Sequence, residues 1–148
     1  DFRAGWTNEF KYRDFDLSFT FRAVVGNDVY NVSRMALENR NVAGKEKNML
    51  ASVMDIPLQD AAQASSYYLE DGSFVKLDNI TLGWTPKLNT KWISNLRVYG
   101  TLKNVFTLTK YSGVDPTTVT TTGLWPGIGG MEVYPTARNL TFGVQITY

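Results

Sequence analysis

All-β, laid out as an antiparallel meander, is the fold class this sequence predicts, and three observations carry it. Five runs alternate apolar and polar residues with period two, as a strand with two unlike faces requires. The connections between these runs are by turns very short and very long. The composition includes 8 Phe, 8 Tyr and 4 Trp alongside frequent Thr, the aromatic and β-branched types that a pleated surface favours.

In the first run, Phe2, Ala4, Trp6, Phe10 and Tyr12 alternate with Arg3, Gly5, Thr7, Glu9, Lys11 and Arg13, and Asn8 is the one polar break. A tight reversal at Arg13-Asp14-Phe15 leads into the second, where Phe15, Leu17, Phe19, Phe21, Ala23 and Val25 oppose Asp16, Ser18, Thr20 and Arg22. The third, residues 72–84, changes phase: Val75 and Leu77 share one parity, Ile80, Leu82 and Trp84 the other. Either a bulge near Asp78-Asn79 re-aims the side chains, or the strand has mixed faces. A short link, residues 85–95, precedes the fourth. There Leu96, Val98, Gly100, Leu102, Phe106 and Leu108 lie opposite Arg97, Tyr99, Thr101, Lys103 and Thr107. The fifth is "LTFGVQITY", with Leu140, Phe142, Val144, Ile146 and Tyr148 on one parity.

Residues 27–71 and 112–134 form connections far longer than hairpin loops. Short and long connections alternate, so a meander collects the short turns at one edge and the long loops at the other. Outer-membrane barrels share this asymmetry, with short periplasmic turns and long extracellular loops; on that reading 27–71 and 112–134 are extracellular, and Tyr148 lies on the periplasmic side. Four of the five runs reach the roughly 9 to 11 residues of a membrane-crossing strand. The polar faces carry full charges, and Asp16, Arg22, Arg97 and Lys103 are the candidate lumen-facing residues. Tyr12, Trp84, Trp92 and Tyr148 at one edge, with Phe106 and Tyr111 at the other, are placed as interfacial girdles would be. A soluble β-sandwich also alternates apolar-in with polar-out. What separates the two is the run length, the one-sided loops and the terminal aromatic. Five strands cannot close a large barrel, so the expectation is a piece of a longer wall whose earlier strands are not in this chain.

The 148 residues carry a net charge of +1, which gives no electrostatic claim on nucleic acid. With neither Cys nor His, disulfides, thiolate metal sites and histidine-based catalysis are excluded. No convergent carboxylate pair on one short motif takes their place, so no enzyme, cofactor or metal is expected. Asp28, Glu70 and Asp71 could be imagined around Ca²⁺, but they lack a full oxygen-ligand spacing, and "GNDVYN" and "LEDGS" read as turns. "SGVDP" also reads as a turn, before a Pro. "VSRMALENR" and "LQDAAQASSYY" can form short helices within the first loop, with Met35 and Leu37 packing locally. In the second loop, Trp125 beside Pro126 is the candidate contact residue for a sugar ring or for another protein; covering its own loop is the plainer role.

Four blocks in series, "KYRDFDLSFTFRAVVGNDVYN", "YYLEDGSFVKLDNITLGW", "LRVYGTLKNVFTLTKYSGVDP" and "YPTARNLTFGVQITY", resemble the closing segments of SusC/RagA-type TonB-dependent outer-membrane transporters of Bacteroidetes. "NVFTLTKYSGVDP", followed after a loop by "YPTARNLTFGV", is the most specific. The resemblance implies that residues 1–148 are the last five strands of an about 22-stranded transmembrane barrel, with a plug domain upstream. It implies import of oligosaccharide or peptide fragments energised through TonB, and a SusD-like surface lipoprotein as lid. It also implies that Phe142, Ile146 and Tyr148 serve as a C-terminal signal for the barrel-assembly machinery, with outer-membrane lipid around the wall. A passive porin wall and, less favoured, a soluble carbohydrate-binding β-sandwich are the alternatives.

Overall fold

The computed structural model describes residues 2–42, 48–56, 60–90, 92–119, 127–131 and 133–148. Its strands, in chain order, are β1 (Phe2–Tyr12), β2 (Phe15–Val25), β3 (Asp28–Asn31), β4 (Leu69–Asp71), β5 (Phe74–Trp84), β6 (Asn95–Thr109), β7 (Ile128–Gly129) and β8 (Asn139–Thr147). One helix, α1 (Val32–Leu37), and four short 3₁₀ turns complete the described elements. The chain forms two compact units. One comprises Asp1–Val24, Phe74–Leu108 and Thr136–Tyr148, the other Val25–Ser73 and Thr109–Pro135.

The first unit is a five-stranded sheet in the order β1-β2-β5-β6-β8, so the five alternating runs of the sequence pair as a meander. Arg13, at the tip of the two-residue β1–β2 connection, takes φ 55°, the left-handed conformation that hairpin turns of this length need. The phase change in β5 is a bulge. Thr20 pairs with Asn79 and Phe21 with Leu77, which leaves Asp78 unopposed. Because of that extra residue, Val75 and Leu77 share a face with Ile80, Leu82 and Trp84, each opposite an apolar residue of β2. The β6–β8 ladder runs from Asn95↔Thr147 to Lys103↔Asn139. Asn104 follows at φ 53° and donates through Nδ2 to the carbonyl of Ala137 at 2.8 Å; Asn is among the side chains that tolerate this conformation.

Ring contacts identify the apolar face. Trp6 packs on Phe19 (5.6 Å between centroids) and Phe21 (6.0 Å), Phe10 on Phe19, Phe21 on Phe106, and Phe15 stacks on Trp84. These contacts cross strands but bury little. Trp6 is 56 % exposed, Val144 62 % and Phe142 77 %. The chain itself leaves this face uncovered, a large contiguous apolar surface that a water-soluble monomer rarely tolerates.

Two glycines floor the opposite face. Asp16 lies across its partner Gly83, and the Tyr99 ring lies across its partner Gly143; a Cβ at either glycine would collide with the side chain above it. Gly143→Val must therefore lift Tyr99 off the sheet. The expected cost is about 1–3 kcal/mol, as for overpacking elsewhere, read as a lower unfolding midpoint; an unchanged midpoint would show that Tyr99 relocates freely.

The second unit is built from both long connections. A three-stranded sheet in the order β4-β3-β7 pairs β3 antiparallel to β4 and parallel to β7. Val29, fully buried, packs with Tyr111 and Val119 as its core. The stretches expected to be turns are strands here: Asp28↔Asp71, Val29↔Glu70 and Tyr30↔Leu69 form a ladder. Val and Tyr at its centre suit a pleat, and the turn-forming Gly26, Asn27 and Gly72 fall just outside it. "VSRMALENR" does begin as helix α1, capped by Asn31 Oδ1, which accepts from the Arg34 amide at 2.9 Å. Met35 does pack locally, its sulfur accepting from the Tyr30 hydroxyl at 3.2 Å. Among the described residues of "LQDAAQASSYY", Ser66–Tyr68 alone turns helically. Asn39 Nδ2 holds the carbonyl of Asp60 at 2.7 Å, which ties down the start of the described stretch 60–65. "SGVDP" is a cap: Asp115 Oδ1 accepts from the Thr117 amide at 2.9 Å at the start of the turn Pro116–Thr118.

Candidate functional site

On the sheet, alternation sets the polar residues against the aromatic face, and two hydroxyl contacts confirm which residues share it. Thr7 of β1 meets Thr20 of β2 at 3.1 Å, and Thr81 of β5 meets Thr101 of β6 at 2.9 Å. All four charged candidates lie on this face. Arg97 NH2 reaches Asp16 Oδ2 at 2.5 Å, passing over β5 where Gly83 offers no side chain, and its guanidinium stands 5.4 Å from the Tyr99 ring. Arg22 takes both oxygens of bulge residue Asp78, each at 3.1 Å. Lys103 is exposed and makes no ion pair among the described residues. Nearby in the register, Lys76 pairs with Arg22 across the ladder, is only 2 % exposed, and donates from Nζ to Thr136 Oγ1 at 3.3 Å. The sequence reading thus found four residues of the polar face but not their pairing. Asp78 was hidden by the bulge that carries it, and Gly83 and Tyr99 show no pattern until the strands are in register.

In the second unit a carboxylate joins the two long connections. Glu70 accepts from the Ser112 amide (2.8 Å), Ser112 Oγ (2.8 Å), Asn31 Nδ2 (3.1 Å) and Arg34 NH1 (3.3 Å). Burial disfavours the ionised form of Glu70, but the bonds from Ser112, Asn31 and Arg34 together outweigh it and hold its carboxyl below the ordinary range. Arg34 also bonds Glu38 Oε2 at 2.6 Å and stands 4.7 Å over the Tyr67 ring. Burial pushes the Tyr68 and Tyr111 phenols up, so both stay neutral. Glu70 was considered as a cation ligand together with Asp28 and Asp71; the structure instead gives it four donors. Among the described residues no group of three or more acidic side chains is arranged to hold a metal ion. Trp125, the candidate loop contact, lies outside the described residues.

No helix of the described residues is long and apolar enough to cross a membrane, which leaves strand crossings untouched. No family model matches the chain. It is 31 % identical to the TonB-dependent receptor SusC of Bacteroides thetaiotaomicron, over 96 % of this chain and 14 % of the relative. It is 27 % identical to the TonB-dependent receptor P3 of Formosa agariphila, over 100 % of this chain and 16 % of that protein. The chain therefore spans less than a fifth of these relatives. In fold it matches a structure of the RagAB peptide transporter with a TM-score of 0.78 at 23 % identity, over 96 % of this chain and 17 % of the other. The structure of the RagAB peptide importer in its open-open state gives 0.73, also at 23 % identity, over 99 % and 17 %. Its relatives are receptors and transporters, not enzymes. Similar in sequence along its whole length to TonB-dependent receptors such as SusC, and in fold to RagAB, the chain fits a C-terminal SusC/RagA-like barrel fragment.

Proposed function

We propose that this chain is part of the wall of an outer-membrane active transporter, energised through TonB by way of a plug domain and earlier strands outside this chain. The observation that carries the reading is the homology to TonB-dependent receptors over the full chain, at 31 % identity to one of them. The uncovered aromatic face supports it: lipid is the environment in which such a face needs no further protein. The cargo is an oligosaccharide or peptide fragment and the partner a SusD-like surface lipoprotein, a reading supported by the kinship with SusC and by RagAB, whose fold the chain shares. Asp16, Arg22, Arg97 and Lys103 would then face the lumen, and the second unit, with the loops 27–71 and 112–134, would face outward. The test is uptake of labelled oligomers by cells carrying or lacking the full-length gene. Loss of uptake on removing either the gene or TonB is expected; uptake that persists without TonB would leave a passive porin wall.

Phe142, Ile146 and Tyr148 are proposed as the signal read by the barrel-assembly machinery. Phe142 and Ile146 lie on the apolar parity of β8, a strand at the edge of the sheet, and Tyr148 follows it directly on the same parity, 99 % exposed. Tyr148→Asp is expected to lower the amount of folded transporter in the outer membrane several-fold, read on heat-modifiability gels. Equal amounts of folded wild type and variant would mean that Tyr148 is an interfacial residue only.

A further inference from the structure

The second unit contains a cavity of about 620 Å³, within the range of small-ligand sites, lined by Glu38, Asn39, Asp60, Gln63, Tyr67 and Tyr68 among others. Its shape comes from two rings. Tyr67 and Tyr68 meet edge to face at 5.0 Å and 86°, with Tyr67 43 % exposed and Tyr68 4 %, so one ring stands open and the other is buried beside it. Its charge is one-sided. The ionisable groups among the described lining residues are two carboxylates and two phenols, with no lysine or arginine. Arg34, on the Tyr67 ring and bonded to Glu38 at 2.6 Å, offsets the Glu38 charge. Asp60 makes no ion pair among the described residues.

Three ligand chemistries can be weighed against this lining. An anion meets two carboxylates and no lining cation. A neutral polyol finds one amide, that of Gln63, because Asn39 uses both ends of its own, donating from Nδ2 to the Asp60 carbonyl at 2.7 Å and accepting at Oδ1 from the Asn41 amide at 2.8 Å; it would also leave the Asp60 charge without compensation. A compact cation finds what it needs: an exposed aromatic ring, whose π-system attracts positive charge, and a carboxylate without a counter-ion among the described residues. The volume exceeds what an ammonium group alone fills and leaves room for the residue that bears it.

From this cavity we infer that the second unit receives the ammonium group of a peptide, either a lysine side chain or a free amino terminus, with Asp60 as its counter-ion and Tyr67 as its aromatic wall. The inference rests on the transporter reading and takes the peptide, of its two cargo classes, as the one held here. The test uses the full-length purified transporter and four forms of one alanine peptide with a central lysine: free, acetylated at the amino terminus, acetylated at the lysine, and acetylated at both. The doubly acetylated peptide is expected to bind at least tenfold more weakly than the free one, and the singly acetylated form that keeps its affinity identifies which amine is held. Asp60→Asn, at an exposed position, should abolish that discrimination with the protein still folded, and Tyr67→Leu should reduce it. Equal binding of free and doubly acetylated peptide, or discrimination unchanged by Asp60→Asn, overturns the inference. TonB-dependent uptake of oligomers is scored in parallel. Its absence defeats the transporter reading, whereas its presence with equal handling of all four peptides defeats only the cavity's role.

Discussion

Val144→Arg should destabilise the full-length protein in lipid vesicles by about 2–4 kcal/mol, the cost of an arginine on the lipid face near a bilayer's midplane. Thr141→Arg, on the same strand but the opposite face, should change stability by no more than about 0.5 kcal/mol. The pair is informative because Val144 is 62 % exposed in this chain and sits near the middle of β8, opposite Val98. In water, an exposed valine replaced by arginine loses almost nothing. A hydrocarbon environment makes the position costly, so the size of the difference between the two substitutions tells a lipid-facing surface from a water-facing one. Equal, small effects on the unfolding equilibrium in lipid would sink the membrane reading.

Glu70→Ala should loosen the second unit by about 1–3 kcal/mol, the scale of removing a hydrogen-bonded charged partner at a part-buried site. It strips Ser112, Asn31 and Arg34 of a shared acceptor and leaves Arg34 with Glu38 and the Tyr67 carbonyl and ring. Hydrogen exchange should quicken at residues 28–31, 69–71 and 111–119, with β1 as the unaffected reference. Glu70→Gln keeps the volume and an acceptor oxygen but not the charge, and should cost less. The pH dependence has a definite sign. The folded carboxyl lies below its ordinary 4.5, so its contribution is complete above that value and is lost as pH falls through the lowered folded one. Loosening on a rise in pH from 5 to 7 would contradict this assignment.

The sheet was legible because each of its strands announces itself locally. Phe15 through Ala23 alternates without a break, and the phase change between Leu77 and Ile80 already marks a bulge as one of two readings. The second unit was not legible, for a physical reason. Its strands are as short as Ile128–Gly129, too short for a period to show, and what fixes them is side-chain pairing across long stretches of chain, as between Asn31 and Ser112. Glu70 was visible as a carboxylate among turn-like residues. Its four donors were not, since Arg34, Asn31 and Ser112 stand nowhere near it in the sequence. The polar face was half legible for the same reason: Arg97 could be placed on it by parity, but its reach to Asp16 depends on Gly83 lying between them.

The discontinuity of the second unit also dictates an order of events in biogenesis. Ser33 Oγ meets the carbonyl of Gly130, 97 residues later, and Asn31 meets Ser112 across 81. Between the two halves of the unit the chain must lay down β5 and β6. Such distant contacts repay their closure entropy only after the intervening segment has become compact. The hairpin of β5 and β6 therefore acts as the splint that shortens the search, and the unit closes only once that hairpin is in place. A chain truncated before Thr109 would carry β3 without β7 and Glu70 without Ser112, a unit with its first half made and nothing to close it.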